Sequence, residues 1–152
     1  MKKIEYEWCA GEVKMTYKRN DTIPRTKVMT SHDLFLTALK IIDDDVLDYC
    51  EEMWVLFLDT RNYITAYMNV SKGGAASMSV DVKQIIQAAL MTNSAGIALF
   101  HNHPSGETSP SRHDDSMTMA VKRSCEMMDL RLCDHVILTR DNYYSYADKG
   151  RI

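Results

Sequence analysis

An apolar run that ends in closely spaced histidines constrains the fold of this chain more than any other feature of its sequence. Residues 95–100 carry only apolar side chains or glycine, which is typical of a β-strand buried on both faces. Pro104 and Gly106 then break regular structure, and Ser111 is suited to cap the helix that follows. Open α/β sheets place their sites beyond the carboxyl ends of such strands, where loops lead into helices. The pattern predicts an α/β fold with a functional site at this strand end.

The side chains at this strand end are suited to hold a metal ion. His101 and His103 lie two positions apart in an extended segment, so both imidazoles project to the same side. Asp114 takes the third position of the predicted helix, whereas its neighbour His113 projects about 100° away around the helix axis. Two imidazoles and a carboxylate leave a fourth tetrahedral position open, as in catalytic zinc sites. We predict that His101, His103 and Asp114 bind Zn²⁺, although Ser111 and Asp114 by themselves could be an ordinary helix cap.

A hydrolytic metal site also requires a general base. Glu51 and Glu52 directly precede a second dense apolar segment, residues 53–58, so either carboxylate could lie at the start of that strand and near the site. The alternative is a pair of solvated charges that ends a loop after the acidic run at residues 43–45. On these residues alone, the solvated pair is favoured.

The segment from His101 to Asp114 resembles the metal-binding motif of the JAMM (JAB/MPN) metalloproteins. It is most similar to the bacterial RadC-like branch, in which Asn separates the two histidines and Pro-Ser-Gly follows them. The similarity covers about residues 30–150. Further matching segments are Ser71-Lys72-Gly73-Gly74, Asp81 before a helix, Asp134-His135 before an apolar strand, and Tyr143-Tyr144-Ser145-Tyr146.

This resemblance implies a fold, an activity and a set of site residues. The fold is a mixed β-sheet flanked by helices, in the cytidine-deaminase-like three-layer arrangement of JAMM/MPN domains. The activity is that of a zinc-dependent metallohydrolase, a peptidase or isopeptidase, that uses metal-activated water. By analogy with the family's glutamate, Glu51 is the general base, with Glu52 as second choice. Ser111 stabilises the oxyanion, and zinc is held by the two histidines and Asp114.

Two departures from the family pattern leave other functions open. Asn102 stands where JAMM isopeptidases usually carry Ser or Thr. RadC proteins commonly have an N-terminal helix-hairpin-helix-like module, and we expect none within these 152 residues. The main alternative is a DNA-repair-associated protein that acts on or at DNA, as a nuclease or a non-catalytic partner. An inert scaffold is the third possibility, but such MPN relatives generally lose the metal residues that this chain has.

Composition predicts one ordinary globular domain, with residues 1–30 as an N-terminal strand extension and residues 31–150 as the core. The 152 residues are 45% hydrophobic and 26% charged, and we find neither a membrane-spanning apolar run nor a signal core. We therefore expect a cytoplasmic protein without membrane contact. A net charge of −3 favours a peptide or protein substrate over nucleic acid. The four cysteines lack Cys-x-x-Cys spacing, so we expect reduced thiols.

Hydrophobic periodicity predicts the remaining elements. Strands are expected at residues 12–18, 53–58, 63–70, 133–139 and 143–146, and helices after the caps Ser31, Asp81 and Ser111. The methionines of the last helix, including Met127 and Met128, are expected to fill the core. His135 is expected to be structural or to orient a metal ligand.

Overall fold

A computed structural model describes residues 25–73 and 80–152, and the strand predicted at residues 12–18 lies outside these ranges. The described helices are α1 (Ser31–Ile41), α2 (Asp44–Leu47), α3 (Val82–Met91) and α4 (Arg112–Met127). The strands are β1 (Glu52–Leu58), β2 (Ile64–Lys72), β3 (Gly96–Asn102), β4 (Arg131–Leu138) and β5 (Tyr143–Ser145). None of the helices in these two ranges is long and apolar enough to cross a membrane.

The strands form one mixed sheet in the order β2-β1-β3-β4-β5. β3 and β4 are parallel and are joined through α4, whereas the other neighbouring pairs are antiparallel. β1 and β2 form the predicted hairpin, in which the Asp59 side chain accepts hydrogen bonds from the backbone N–H groups of Arg61 and Tyr63. The arrangement confirms the predicted mixed α/β fold.

β3 is central because both of its faces are covered. Ile97 and Leu99 pack with residues of α3 and α4 on one face, and Ala98 and Phe100 pack with α1 on the other. All seven residues of β3 are buried, which explains why this strand is a continuous apolar run until His101. Helices on both faces therefore support β3 up to its carboxyl end, where His101 lies.

The start of α1 differs by one residue from the sequence prediction. Thr30, and not Ser31, is the N-cap, because the Thr30 side chain accepts a hydrogen bond from the Asp33 N–H. The Asp33 carboxylate accepts one from the Thr30 N–H in return, which completes a capping box. The Ser31 hydroxyl instead donates to Asp148 near the end of the chain.

The prediction for two methionines at the end of α4 is wrong. Met127 is 81% exposed and Met128 is 48% exposed. The apolar stripe ends at Cys125, because Asp129 adopts a left-handed backbone conformation (φ 54°) that turns the chain out of the helix. Leu130 then takes the buried position next to the helix end, and its N–H donates to the Cys125 carbonyl.

Candidate metal centre

The two histidines converge at the end of β3, as the strand periodicity predicts. His101 lies in β3, and His103 follows the strand, with its backbone N–H donating to the Leu138 carbonyl of β4. Because alternate residues of an extended segment project to one side, the two Nε2 atoms lie 3.0 Å apart. The His101 side chain is fully buried and that of His103 is 15% exposed.

The third group, Asp114, reaches the histidines from the first turn of α4. Its Oδ1 lies 3.3 Å from His101 Nε2, and its Oδ2 lies 3.7 Å from His103 Nε2. Ser111 is the N-cap, and Asp114 completes a capping box with it. Burial opposes ionisation of Asp114, but the hydrogen bond with His101, the attraction of that ring in its protonated form and hydrogen bonds from Ser111 outweigh it. They hold the pKa of Asp114 well below its usual range. Asp114, and not the exposed His113, is the α4 residue in this group.

Of the two glutamates at the start of β1, the structure brings Glu51 to the histidines. Glu51 Oε1 lies 3.6 Å from His101 Nε2 and 4.0 Å from His103 Nε2, and its side chain is 34% exposed. Glu52 is directed elsewhere, because a one-residue step along a strand reverses the side-chain direction. Its buried carboxylate accepts a hydrogen bond from the Trp54 indole and pairs with Lys72 at 3.2 Å.

The segment that carries Glu51 is fastened to the adjoining strands. The Gly73 N–H, just after β2, donates to the Glu51 carbonyl at 2.7 Å. On the other side, the buried Asn102 accepts a hydrogen bond from the Glu52 N–H. The Asn102 amide nitrogen donates to the carbonyls of Leu47 and Cys50, each at 2.8 Å. The residue between the two histidines therefore fixes the backbone on which Glu51 is presented.

The donor set fits a divalent cation. Ligands at about 2.0–2.1 Å from a tetrahedral zinc ion lie about 3.3 Å from one another. The two Nε2 atoms lie 3.0 Å apart, and the Asp114 carboxylate lies 3.3 Å from His101 through Oδ1 and 3.7 Å from His103 through Oδ2. With Glu51 included, one ligand atom from each group lies within 4.8 Å of the others. The His103 ring is also oriented for metal binding, because Nδ1 must donate to the Glu107 carbonyl at 2.7 Å, which leaves the lone pair on Nε2.

Comparison with known proteins identifies the family. A RadC-like JAB domain profile matches residues 29–151. The chain belongs to the RadC-like JAB family. The RadC-like chain is 37% identical over 141 residues to a UPF0758 protein of Flavobacterium johnsoniae, with 93% of the chain and 60% of the relative covered. It is 30% identical over 139 residues to a UPF0758 protein of Coprothermobacter proteolyticus, covering 91% of the chain and 59% of the relative.

A UPF0758 protein of Porphyromonas gingivalis is 41% identical over 101 residues, which is 66% of the RadC-like chain and 44% of that relative. The chain therefore spans about three fifths of the length of the first two relatives. The names of these relatives state no activity and no substrate. These matches establish the family and leave the reaction open.

His135 lies directly behind the candidate metal-binding group of this RadC-like domain. Its Nε2 is 2.8 Å from His101 Nδ1, and its ring stacks on Tyr146 with centroids 5.0 Å apart. Complete burial lowers the pKa of His135 well below that of a free imidazole and so favours its neutral form. The neutral ring can act as a hydrogen-bond partner for His101.

Ser111 lies at the exposed N-terminus of α4, next to Asp114. Its hydroxyl oxygen accepts a hydrogen bond from the Asp114 N–H at 3.1 Å. That bond uses a lone pair of the hydroxyl oxygen, and the hydroxyl itself donates to the Asp114 carboxylate. Sequence reasoning missed two other polar residues of the site, Asn102 as an anchor and Thr118 as the partner of His135. Thr118 lies one helical turn after Asp114, and that i+4 spacing was the available signal.

Proposed function

We propose that this chain is a zinc-dependent metallohydrolase that cleaves peptide or isopeptide bonds. The observation that carries the proposal is the convergence of two imidazoles and one carboxylate at separations of 3.0–3.7 Å, beside a second, partly exposed carboxylate. Imidazole and carboxylate ligands suit zinc, and three protein ligands are the number found in catalytic zinc sites.

Each residue has a separate role in the proposed reaction. His101, His103 and Asp114 would hold the cation, and a bound zinc ion would supply the Lewis acidity that polarises a carbonyl and makes water easier to deprotonate. Glu51 Oε would take a proton from the attacking water and pass it to the leaving amine. The Ser111 hydroxyl would donate a hydrogen bond to the oxygen on which negative charge develops.

The distribution of exposure supports this division of roles. The side chains of His101 and Asp114 are 0% and 4% exposed, so they are shielded from competing water. Glu51 is 34% exposed and Ser111 lies on the surface, so both can reach a substrate. The proposed ligands therefore lie behind the groups that handle protons and charge.

The departure at Asn102 from the JAMM isopeptidase pattern does not count against peptide chemistry. Asn102 is fully buried, and both its amide nitrogen and its carbonyl oxygen are hydrogen bonded to backbone groups of the segment from Leu47 to Glu52. It supports the polypeptide around Glu51 and presents no free polar atom to a substrate. The substitution therefore concerns the scaffold of the proposed site.

A substrate screen with matched variants tests the proposal. The zinc-loaded protein is incubated separately with a peptide library that includes isopeptide-linked members, and with labelled single- and double-stranded DNA. We expect peptide cleavage that Glu51→Gln abolishes while zinc remains bound. Glu52→Gln is the matched control, because Glu52 pairs with Lys72 and Trp54, and it should retain activity. Cleavage of DNA alone would overturn the proposal, and so would loss of activity in Glu52→Gln only.

A further inference from the structure

A chain of buried hydrogen bonds runs from His101 to the side opposite the metal-binding group. His101 Nδ1 lies 2.8 Å from His135 Nε2, and His135 Nδ1 lies 2.6 Å from the Thr118 hydroxyl. The same hydroxyl lies 2.6 Å from the backbone carbonyl of Asp114. His101, Thr118 and His135 are all 0% exposed, so water does not compete for these contacts. The chain connects the ring of one proposed ligand to the backbone of another.

The middle of this chain is held rigidly. The backbone N–H of His135 donates to the Asp134 carboxylate at 2.7 Å, and the backbone carbonyl of His135 accepts from the Tyr146 N–H at 3.0 Å. The His135 and Tyr146 rings are nearly parallel, with an interplanar angle of 3°. The His135 ring therefore has a fixed position from which to meet His101 on one side and Thr118 on the other.

The backbone carbonyl of Asp114 determines which atom donates in each of these hydrogen bonds. A carbonyl oxygen only accepts, so the 2.6 Å contact requires Thr118 to donate its single hydroxyl proton there. The Thr118 oxygen must then accept from His135 Nδ1–H. A neutral imidazole with a proton on Nδ1 has a lone pair on Nε2, so His135 accepts from His101 Nδ1–H. His101 is left with a lone pair on Nε2, the atom that faces His103 and Asp114.

The reverse assignment of donors and acceptors is unfavourable at both Thr118 and His101. If Thr118 donated to His135, two oxygen lone pairs would face each other at 2.6 Å between Thr118 and the Asp114 carbonyl. His135 would then donate from Nε2, and His101 would carry its proton on Nε2. A protonated Nε2 has no lone pair for a cation. The direction that satisfies the Asp114 carbonyl is therefore also the direction that permits metal binding.

We propose that Thr118 and His135 are positioning residues that hold His101 in the tautomer required for metal binding. This inference rests on the metal site of the proposed function and is independent of the peptide chemistry. His103 obtains the same tautomer directly from the Glu107 carbonyl, whereas His101 obtains it through two intervening side chains. Contacts that orient metal ligands typically change metal affinity by roughly 10–100-fold.

Two substitutions at one buried position test the proposal. Thr118→Val is close to isosteric and removes the hydroxyl, whereas Thr118→Ser retains it. Thr37→Val in α1 is the matched control, because Thr37 is also a buried helical threonine whose hydroxyl donates to the carbonyl four residues earlier. Zinc affinity is measured by chelator competition. We expect zinc to dissociate roughly 10-fold or more readily from Thr118→Val. Thr118→Ser and Thr37→Val should stay close to the parent.

The tautomer is read separately by long-range ¹⁵N–¹H NMR of the metal-free protein near pH 8, where a free imidazole is neutral. We expect the Nδ1–H form of His101 in the parent, in Thr118→Ser and in Thr37→Val. In Thr118→Val, a substantial fraction of His101 should be in the Nε2–H form. His135 Nδ1–H no longer has an acceptor there, so His135 can carry its proton on Nε2 and donate it to His101 Nδ1. An Nε2–H form in the parent would overturn the inference, and so would unchanged affinity and tautomer in Thr118→Val. Failure of the parent to bind zinc would refute the proposed function. The NMR result would still decide which atoms donate in the hydrogen bonds that link Thr118, His135 and His101.

Discussion

Removal of the Asn102 side chain should destabilise the protein far more than an ordinary polar deletion. Asn102→Ala takes away the partners of the buried Glu52 N–H and Leu47 carbonyl, while the Cys50 carbonyl is partly accessible and can be hydrated. A buried polar group without a partner costs about 1–3 kcal/mol. The two buried groups together predict a loss of about 2–6 kcal/mol, before any cost of the cavity left by the side chain.

The size of the chain converts this loss into a measurable shift. For a domain of about 150 residues, 1 kcal/mol changes Tm by about 2–4 °C, so Asn102→Ala should melt at least about 4 °C lower. Urea denaturation with linear extrapolation measures the free energy of unfolding. The protein is kept in a chelator, so that metal binding does not add to the stability of either form.

Two further variants make the test specific. Ser116→Ala removes an exposed hydroxyl that donates to the Arg112 carbonyl, and it should change the free energy of unfolding by less than about 0.5 kcal/mol. Asn102→Asp keeps the shape and the acceptor for the Glu52 N–H, but it loses both amide donors, so it should be clearly destabilised as well. A loss below about 1 kcal/mol in Asn102→Ala, or parental stability in Asn102→Asp, would show that this reasoning is wrong.

Three other predictions follow from single groups. Ser111→Ala should lower the free energy of unfolding by about 1 kcal/mol, because the helix cap is lost. It should also slow turnover by on the order of a hundredfold with zinc still bound, and Ser111→Thr should restore both stability and turnover. Unchanged turnover in Ser111→Ala contradicts the oxyanion role. Burial raises the pKa of Asp134, so the native state binds its proton more tightly than the unfolded chain does and stability falls as the pH rises through that raised pKa. The stability of Asp134→Asn relative to the parent, measured by urea unfolding, should therefore increase between about pH 4 and pH 7, and a constant difference would refute this. Burial raises the pKa of Cys125 to about 11, so alkylation near pH 8 followed by mass spectrometry should be at least about a hundredfold slower in the native protein than in the unfolded chain.

The part of the site that local rules determine could be predicted from the sequence. The shared direction of His101 and His103 follows from the two-residue period of a strand. The location of Asp114 at the start of α4 follows from the Ser111 cap. Both rules act over a few residues and need no knowledge of the packed fold.

The remaining features depend on contacts between distant segments. Glu51 and Glu52 are neighbours at the start of β1, and only the strand register decides which of the two faces the histidines. The partners of Asn102 lie on a segment some 50 residues earlier in the chain, so no local pattern reveals them. The contact between His135 and His101 likewise requires the parallel pairing of β3 and β4.

The four groups of the candidate metal centre lie on a loop before β1, on β3, just after β3 and on α4, so they come together only in the folded chain. A cation bound by them would therefore add its binding free energy to folding, about 4 kcal/mol at a concentration 1,000 times the dissociation constant. The melting temperature therefore reports how much of the site is occupied by a metal ion, and the measurement needs no substrate. Different divalent ions can thus be ranked by melting curves alone.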